Sequence, residues 1–84
     1  MATVVLAPDA QQQSFNLPKP IRARVYRLLE RLTKWPRVSG AKPLRGDLTG
    51  RYRLRTGDYR VQLRIEAKTV VIERVGHRDG FYEG

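Results

Sequence analysis

The 84-residue chain has no cysteine, which rules out a disulfide framework and a cysteine zinc site alike. That fits a reducing compartment. It has no long apolar run either. Val4-Val5-Leu6-Ala7 stops at Pro8-Asp9, too short for a signal-peptide core and far too short to span a bilayer. A cytoplasmic protein without a membrane segment is expected. Acids are scarce, 8 Asp+Glu against 17 Lys+Arg, for a formal charge of +9 and a pI near 10.9. A field of that sign on so small a body attracts nucleic acid, acidic protein segments or anionic membrane surfaces. Lysine is scarce as well. Only Lys19, Lys34, Lys42 and Lys68 are present, and the remaining cations are arginines. Lysine would serve solubility equally well, whereas arginine suits bidentate phosphate contacts and stacking on bases.

What is present reads as one small domain over residues 1–84, with 40% hydrophobic residues for a single modest core. Thr3 to Ala7 is short and β-branched, and reads as a strand ended by Pro8-Asp9. Asp9 is placed to cap a short helix running to Asn16. After the Leu17-Pro18-Lys19-Pro20 break, Ile21, Val25, Leu28, Leu29 and Leu32 fall at i, i+4, i+7, i+8 and i+11. They form the apolar stripe of an amphipathic helix, which Trp35-Pro36 is expected to end. Residues 36–50 read as a loop anchored by Leu44. Strands are expected at about 51–55 and 58–66, with a turn at Ala67-Lys68 and a third strand from Thr69 to Val75. The tail from Gly76 has no clear period. The order is β-α-α-β-β-β, an α+β domain with helices on one face of a mostly antiparallel sheet.

The strand alternation puts Tyr52, Leu54, Tyr59, Val61, Leu63 and Ile65 on one face, to bury against the helix stripe. Arg51, Arg53, Arg60, Gln62 and Arg64 fall on the other. With the loop taken as Arg55 to Asp58, Leu54 faces Tyr59, Arg53 faces Arg60, and Arg55 meets Asp58 as a structural pair. Like charges directly opposite one another destabilise a sheet. Solvated faces usually mix signs, and Asp58 is the only acid from Arg51 to Ile65. A face of this kind is suited to a polyanion.

Lys42-Pro43-Leu44-Arg45-Gly46, the run Gly50 to Val61 (GRYRLRTGDYRV), and Val75-Gly76-His77-Arg78 with Tyr82 follow one another in order. Together with the Leu17-Pro18 helix opening and the Leu29, Leu32, Trp35-Pro36 exit, they resemble the RelE/ParE superfamily of toxins from toxin–antitoxin pairs. The resemblance covers nearly the whole chain. It implies a compact sheet with helices on one side and a cationic cleft on the other. In the RelE branch that cleft takes mRNA in the ribosomal A site and cuts it without a metal or other cofactor, by attack of a 2′-hydroxyl on the neighbouring phosphate. Such chemistry needs a base, cations for the charge that builds on phosphate, and an acid for the leaving 5′-oxygen.

Carried over, the resemblance puts Arg51 and Arg53 at two cationic strand positions and Arg60 at the contact to the scissile phosphate. Arg78 stands as phosphate ligand or general acid, and Tyr82 stacks on a base or orients the 2′-hydroxyl. Relatives often carry lysine where Arg51 and Arg53 stand, and arginine cannot lose its proton to act as a base. His77 is then either the base or a packing residue beside its glycine. Glu73 is either a base or a solvated strand carboxylate, and Tyr82 either stacks or is an ordinary tail aromatic. The implied partners are a cognate antitoxin with an acidic, partly helical segment, the ribosome with its mRNA, and operator DNA only through the antitoxin. Two other functions stay open: the resemblance also allows a ParE-type poison of DNA gyrase, and the basic composition a non-enzymatic RNA-binding protein.

Overall fold

Two prolines and one glycine frame the fold locally. Pro8 and Pro20 stand in the first turns of two helices, where a missing N–H costs nothing, and Gly57 opens the hairpin that carries the arginines. The computed structural model describes residues 1–81. Strand β1 spans Thr3–Leu6, helix α1 Pro8–Phe15 and helix α2 Lys19–Leu32. Strand β2 is Lys42–Pro43, followed by a 3₁₀ turn at Gly46–Leu48, and β3, β4 and β5 are Arg51–Thr56, Tyr59–Glu66 and Thr69–His77. A short helix α3, Arg78–Phe81, closes the described chain. The sheet order is β1-β5-β4-β3-β2, parallel only at β1–β5. Among the described residues no helix is long and apolar enough to cross a membrane.

The helix stripe and the apolar strand face meet as their periods require. Val25, Leu28, Leu29 and Leu32 of α2 pack with Leu54, Val61, Leu63, Val70, Ile72 and Val75, joined by Ala10 of α1. Ile21, Tyr52 and Ile65 pack at the margins of this cluster. Helix α1 has a second task. β1 pairs with β5 only as far as Ile72, so among the described residues no strand pairs with that edge of β5 beyond it. There the Val75 N–H donates to Gln13 Oε1 at 2.7 Å, and the helix side chain satisfies a backbone donor the sheet leaves over.

Several details differ from the sequence reading. α1 begins at Pro8 rather than being capped by Asp9, which sits in its first turn without a capping hydrogen bond. α2 stops at Leu32, before Trp35, where the Thr33 hydroxyl donates to the Glu30 carbonyl and the chain tightens into turns. The 36–50 loop contains the edge strand β2. Trp35, Val38 and Ala41 hold that segment on the core, while Leu44 is only half-buried. β5 runs two residues past Val75 to His77, and the tail turns into α3.

The hairpin register is the main correction. Thr56 pairs with Tyr59, so the loop is the two residues Gly57-Asp58. Gly57 has φ +59 at the first loop position, as a type II′ turn requires. Leu54 therefore faces Val61 and Arg53 faces Gln62. Arg55 faces Arg60 rather than Asp58, and Arg51 faces Arg64. The face assignments survive, because the shift moves every pair by an even number of residues. The number of directly opposed arginine pairs rises from one to two.

Candidate functional site

Arg51, Arg53, Arg60, Gln62 and Arg64 occupy the sheet face opposite α2, as their parity dictates, with Arg55 beside them. Lys42 reaches the same region through the pairing of Lys42 with Arg53. A depression of about 310 Å³ lies here, lined by Gly40, Lys42, Arg53, Leu54, Arg55 and Arg60. Among the described residues, four of the six that line it are cations and none is acidic. The opposed Arg55–Arg60 pair is relieved by geometry. Arg60 turns back over the hairpin, where its Nη1 donates to the carbonyls of Gly57 at 3.1 Å and Tyr59 at 3.2 Å. The residue is 9% exposed, and its charge is held against backbone acceptors at the rim of the depression.

The opposed Arg51–Arg64 pair is relieved by a carboxylate. Arg51 Nε donates to Glu73 Oε1 at 2.7 Å, Arg64 Nη1 to Glu73 Oε2 at 3.0 Å, and Gln62 Nε2 to Oε1 at 3.3 Å. Burial of Glu73 opposes its ionisation, but the hydrogen bonds from Arg51, Gln62 and Arg64 outweigh it and hold the carboxyl below the usual glutamate range. Arg64 is pushed up from the ordinary arginine value, chiefly by its hydrogen bond to Glu66 and then by that to Glu73. A carboxyl whose folded pKa is depressed contributes stability above its unfolded value and loses it as pH falls through the folded one. The melting temperature of the wild type is therefore expected to drop below about pH 4.5 more steeply than that of Glu73→Gln, measured by thermal denaturation across the acid range.

The C-terminal residues approach this site from the hairpin end. The Arg78 N–H donates to the Asp58 carbonyl at 2.8 Å, and Arg78 Nη1 stands 4.0 Å from Asp58 Oδ1. Asp58 is thus engaged by Arg78. Arg60 and Arg78 both contact the two-residue turn, one at Gly57 and one at Asp58. Phe81 of α3 folds back onto the arginine face. Gly76 pairs with Arg60, and a Cβ on Gly76 would come within 3.3 Å of Phe81 Cδ1. The Arg74 guanidinium lies 4.3 Å from the centre of the Phe81 ring.

His77 stands apart. It pairs with Tyr59, on the face opposite the arginines, and its ring meets the Tyr59 ring edge-on at 5.2 Å. Its Nδ1 accepts the Asp79 N–H at 3.2 Å and lies 3.4 Å from Asp79 Oδ2. Tyr82 lies outside the described residues. Among the described residues no three His, Asp or Glu side chains stand together as a metal cage. The structure therefore brings together Arg51, Arg53 and Arg60, sets Arg78 at their hairpin end, and directs His77 to the other face. Glu73, read from sequence as either a base or a solvated strand carboxylate, is ion-paired with Arg51 and Arg64 on the arginine face, where Glu66 also meets Arg64.

Known proteins match both the sequence and the shape. The family described as ParE toxins of type II toxin–antitoxin systems (parDE) matches residues 4–80. Toxin RelG of Mycobacterium tuberculosis is 40% identical over 83 residues, covering 95% of this chain and 94% of its own length. The crystal structure of the toxin–antitoxin complex RelBE2 from the same organism superposes with a TM-score of 0.81 at 38% identity, over 92% of this chain and 91% of the other. Isolated RelE toxin from E. coli shares the fold, with a TM-score of 0.77 at 22% identity over 92% of this chain and 84% of its own. A match along nearly the whole chain, in sequence and in fold, makes this protein a member of the RelE/ParE superfamily of type II toxin–antitoxin toxins.

Proposed function

We propose that the protein is a ribosome-dependent mRNA endonuclease that arrests translation and is silenced by a cognate antitoxin. One observation carries the reading: Arg53 and Arg60 share one cationic depression on the strand face, with Lys42 and Arg55 beside them and Arg51 on the same face. A phosphate approaching this face meets planar guanidinium donors, which suit the extra negative charge of a pentavalent phosphorane formed by 2′-hydroxyl attack. Arg60 is the proposed ligand of the scissile phosphate. Arg78, at the hairpin turn, would stabilise the negative charge on the leaving 5′-oxygen. Tyr82 is proposed to stack on a base and hold the strand in line. The position of His77 on the opposite face weighs against it as the base, so its role in the proposal is to pack on Tyr59.

The antitoxin is proposed to bind through an acidic, partly helical segment. An apolar groove of about 790 Å³, lined by Val4, Val5, Leu6, Pro8, Gln11, Gln12, Phe15 and Tyr26, offers it a helix-side seat. Phe15 is 71% exposed there. The relative RelBE2 is a toxin–antitoxin complex, which supports an antitoxin as partner.

A second reading is favoured by the family match, which is to ParE toxins. In it the protein poisons DNA gyrase and cuts no RNA. Sequencing mRNA ends after a brief pulse of expression separates the two. Codon-positioned breaks on translated messages are the expected result. Intact messages, with double-strand DNA breaks and an SOS response, would replace the nuclease reading with the gyrase one.

A further inference from the structure

β4 and β5 fall out of step once. Gln62 pairs with Arg74 but Leu63 pairs with Ile72, so Glu73 is the extra residue of a β-bulge. A bulge re-aims a side chain out of the regular alternation. Here it keeps both Glu73 and Arg74 on the arginine face, with the Glu73 carboxylate between two arginines that the register sets directly opposite each other. The carboxylate relieves their repulsion and also fixes where one of them points. The bond from Arg51 to Glu73 uses Nε alone, and the side chain stays one-third exposed. A guanidinium held at Nε presents its two Nη groups outward as a fork, the geometry that grips a phosphate bidentately. An unanchored arginine would have to find that pose anew for each substrate.

We infer that Glu73 is a positioning residue of the RNA-binding face, holding Arg51 by Nε so that its Nη fork meets the RNA backbone beside the scissile phosphate. The inference rests on the nuclease reading above. It implies a trade that simple structural support does not. A carboxylate facing a polyanion weakens net attraction while it orders the cation that acts in the transition state. Loss of the charge alone therefore tightens RNA binding and slows cleavage.

The test uses the purified toxin with Glu73→Gln, Arg51→Gln and the double variant, each checked for an unchanged fold by circular dichroism. Binding is measured against salt on a short single-stranded RNA carrying a 2′-deoxy residue at the cleaved position. Cleavage is followed on mRNA in programmed ribosomes under single-turnover conditions. For Glu73→Gln, the slope of log K against log salt should steepen by about 0.7, the increment of one more effective phosphate contact. The cleavage rate should fall by about 10- to 100-fold, the scale of a misplaced contact. The double variant should cleave no more slowly than Arg51→Gln, because Glu73 acts through Arg51.

An unchanged rate in Glu73→Gln overturns the inference, as does a double variant in which the two losses multiply. So does loss of the acid limb of the pH–rate profile independent of Arg51, which would make Glu73 a general base. If the wild type cuts no RNA, the nuclease reading falls by itself. The salt slope then still decides on Glu73, and an unchanged slope rejects it.

Discussion

Replacing Arg60 with alanine is expected to lower RNA cleavage by about 100- to 1,000-fold, the usual cost of removing one donor aimed at developing charge, and to abolish growth arrest on expression. The reason is positional. Arg60 lines the depression that also holds Lys42, Arg53 and Arg55, and its guanidinium is held by the backbone carbonyls of Gly57 and Tyr59. A cation ordered before substrate arrives needs little reorganisation when the phosphorane forms. Arg60→Lys separates charge from geometry, since it keeps one positive charge but loses the planar fork. An intermediate rate would identify the fork as part of the effect. Loss of the two hydrogen bonds should also cost about 1–3 kcal/mol of stability, so the decisive comparison is made below the melting temperature of the variant. Arg78→Ala should arrest growth no better, while removing only exposed contacts to Asp58 and Asp79. If both variants arrest growth as well as wild type at equal expression, the cationic face is not the site.

Replacing Leu63 with alanine is expected to lower stability by about 2–5 kcal/mol, a large share of the roughly 5–15 kcal/mol that holds a small domain folded. Leu63 is fully buried on β4, the central strand, paired with Tyr52 on β3 and with Ile72 on β5. Leu63 belongs to the buried cluster that joins β3, β4 and β5 to α2, so the cavity left by truncation has little freedom to collapse. For a chain of this size each kcal/mol moves the midpoint by about 4–8 °C, so a fall of roughly 10 °C or more is expected by thermal denaturation. Val5→Ala is the control. Val5 lies on the edge strand β1 and is 41% exposed, and its truncation should change stability by less than about 0.5 kcal/mol. Equal losses at both sites would mean that the central strand is not the core of the fold.

The helix stripe was legible because Ile21, Val25, Leu28, Leu29 and Leu32 repeat with a single period and face an equally regular strand pattern. The parity of the arginines was legible for the same reason. Neighbouring side chains on a strand alternate, so Arg51, Arg53 and Arg60 share a face in any register shifted by an even step. The register itself was not. It depends on whether the turn takes two residues or four, and Thr56-Gly57-Asp58-Tyr59 reads equally well either way until the φ of Gly57 is known. The edge strand β2 was illegible because two residues carry no period. Its place depends on the backbone bonds it makes with β3.

Sequence alone determined the fold class, the side of the sheet that takes the core, and the concentration of arginine on the other. Each follows from local alternation of apolar and charged residues, which needs no knowledge of distant contacts. Tertiary structure decided how that arginine face is organised. A one-residue slip between β4 and β5 turned Glu73 onto it, setting a carboxylate against Arg51 and Arg64. The turn at Gly57-Asp58 set Arg55 against Arg60 and gave Asp58 to Arg78. His77, one residue before Arg78, faces Tyr59 on the other side. These placements depend on pairings between strands, and a strand's own pattern records which face a residue takes but not which residue it meets.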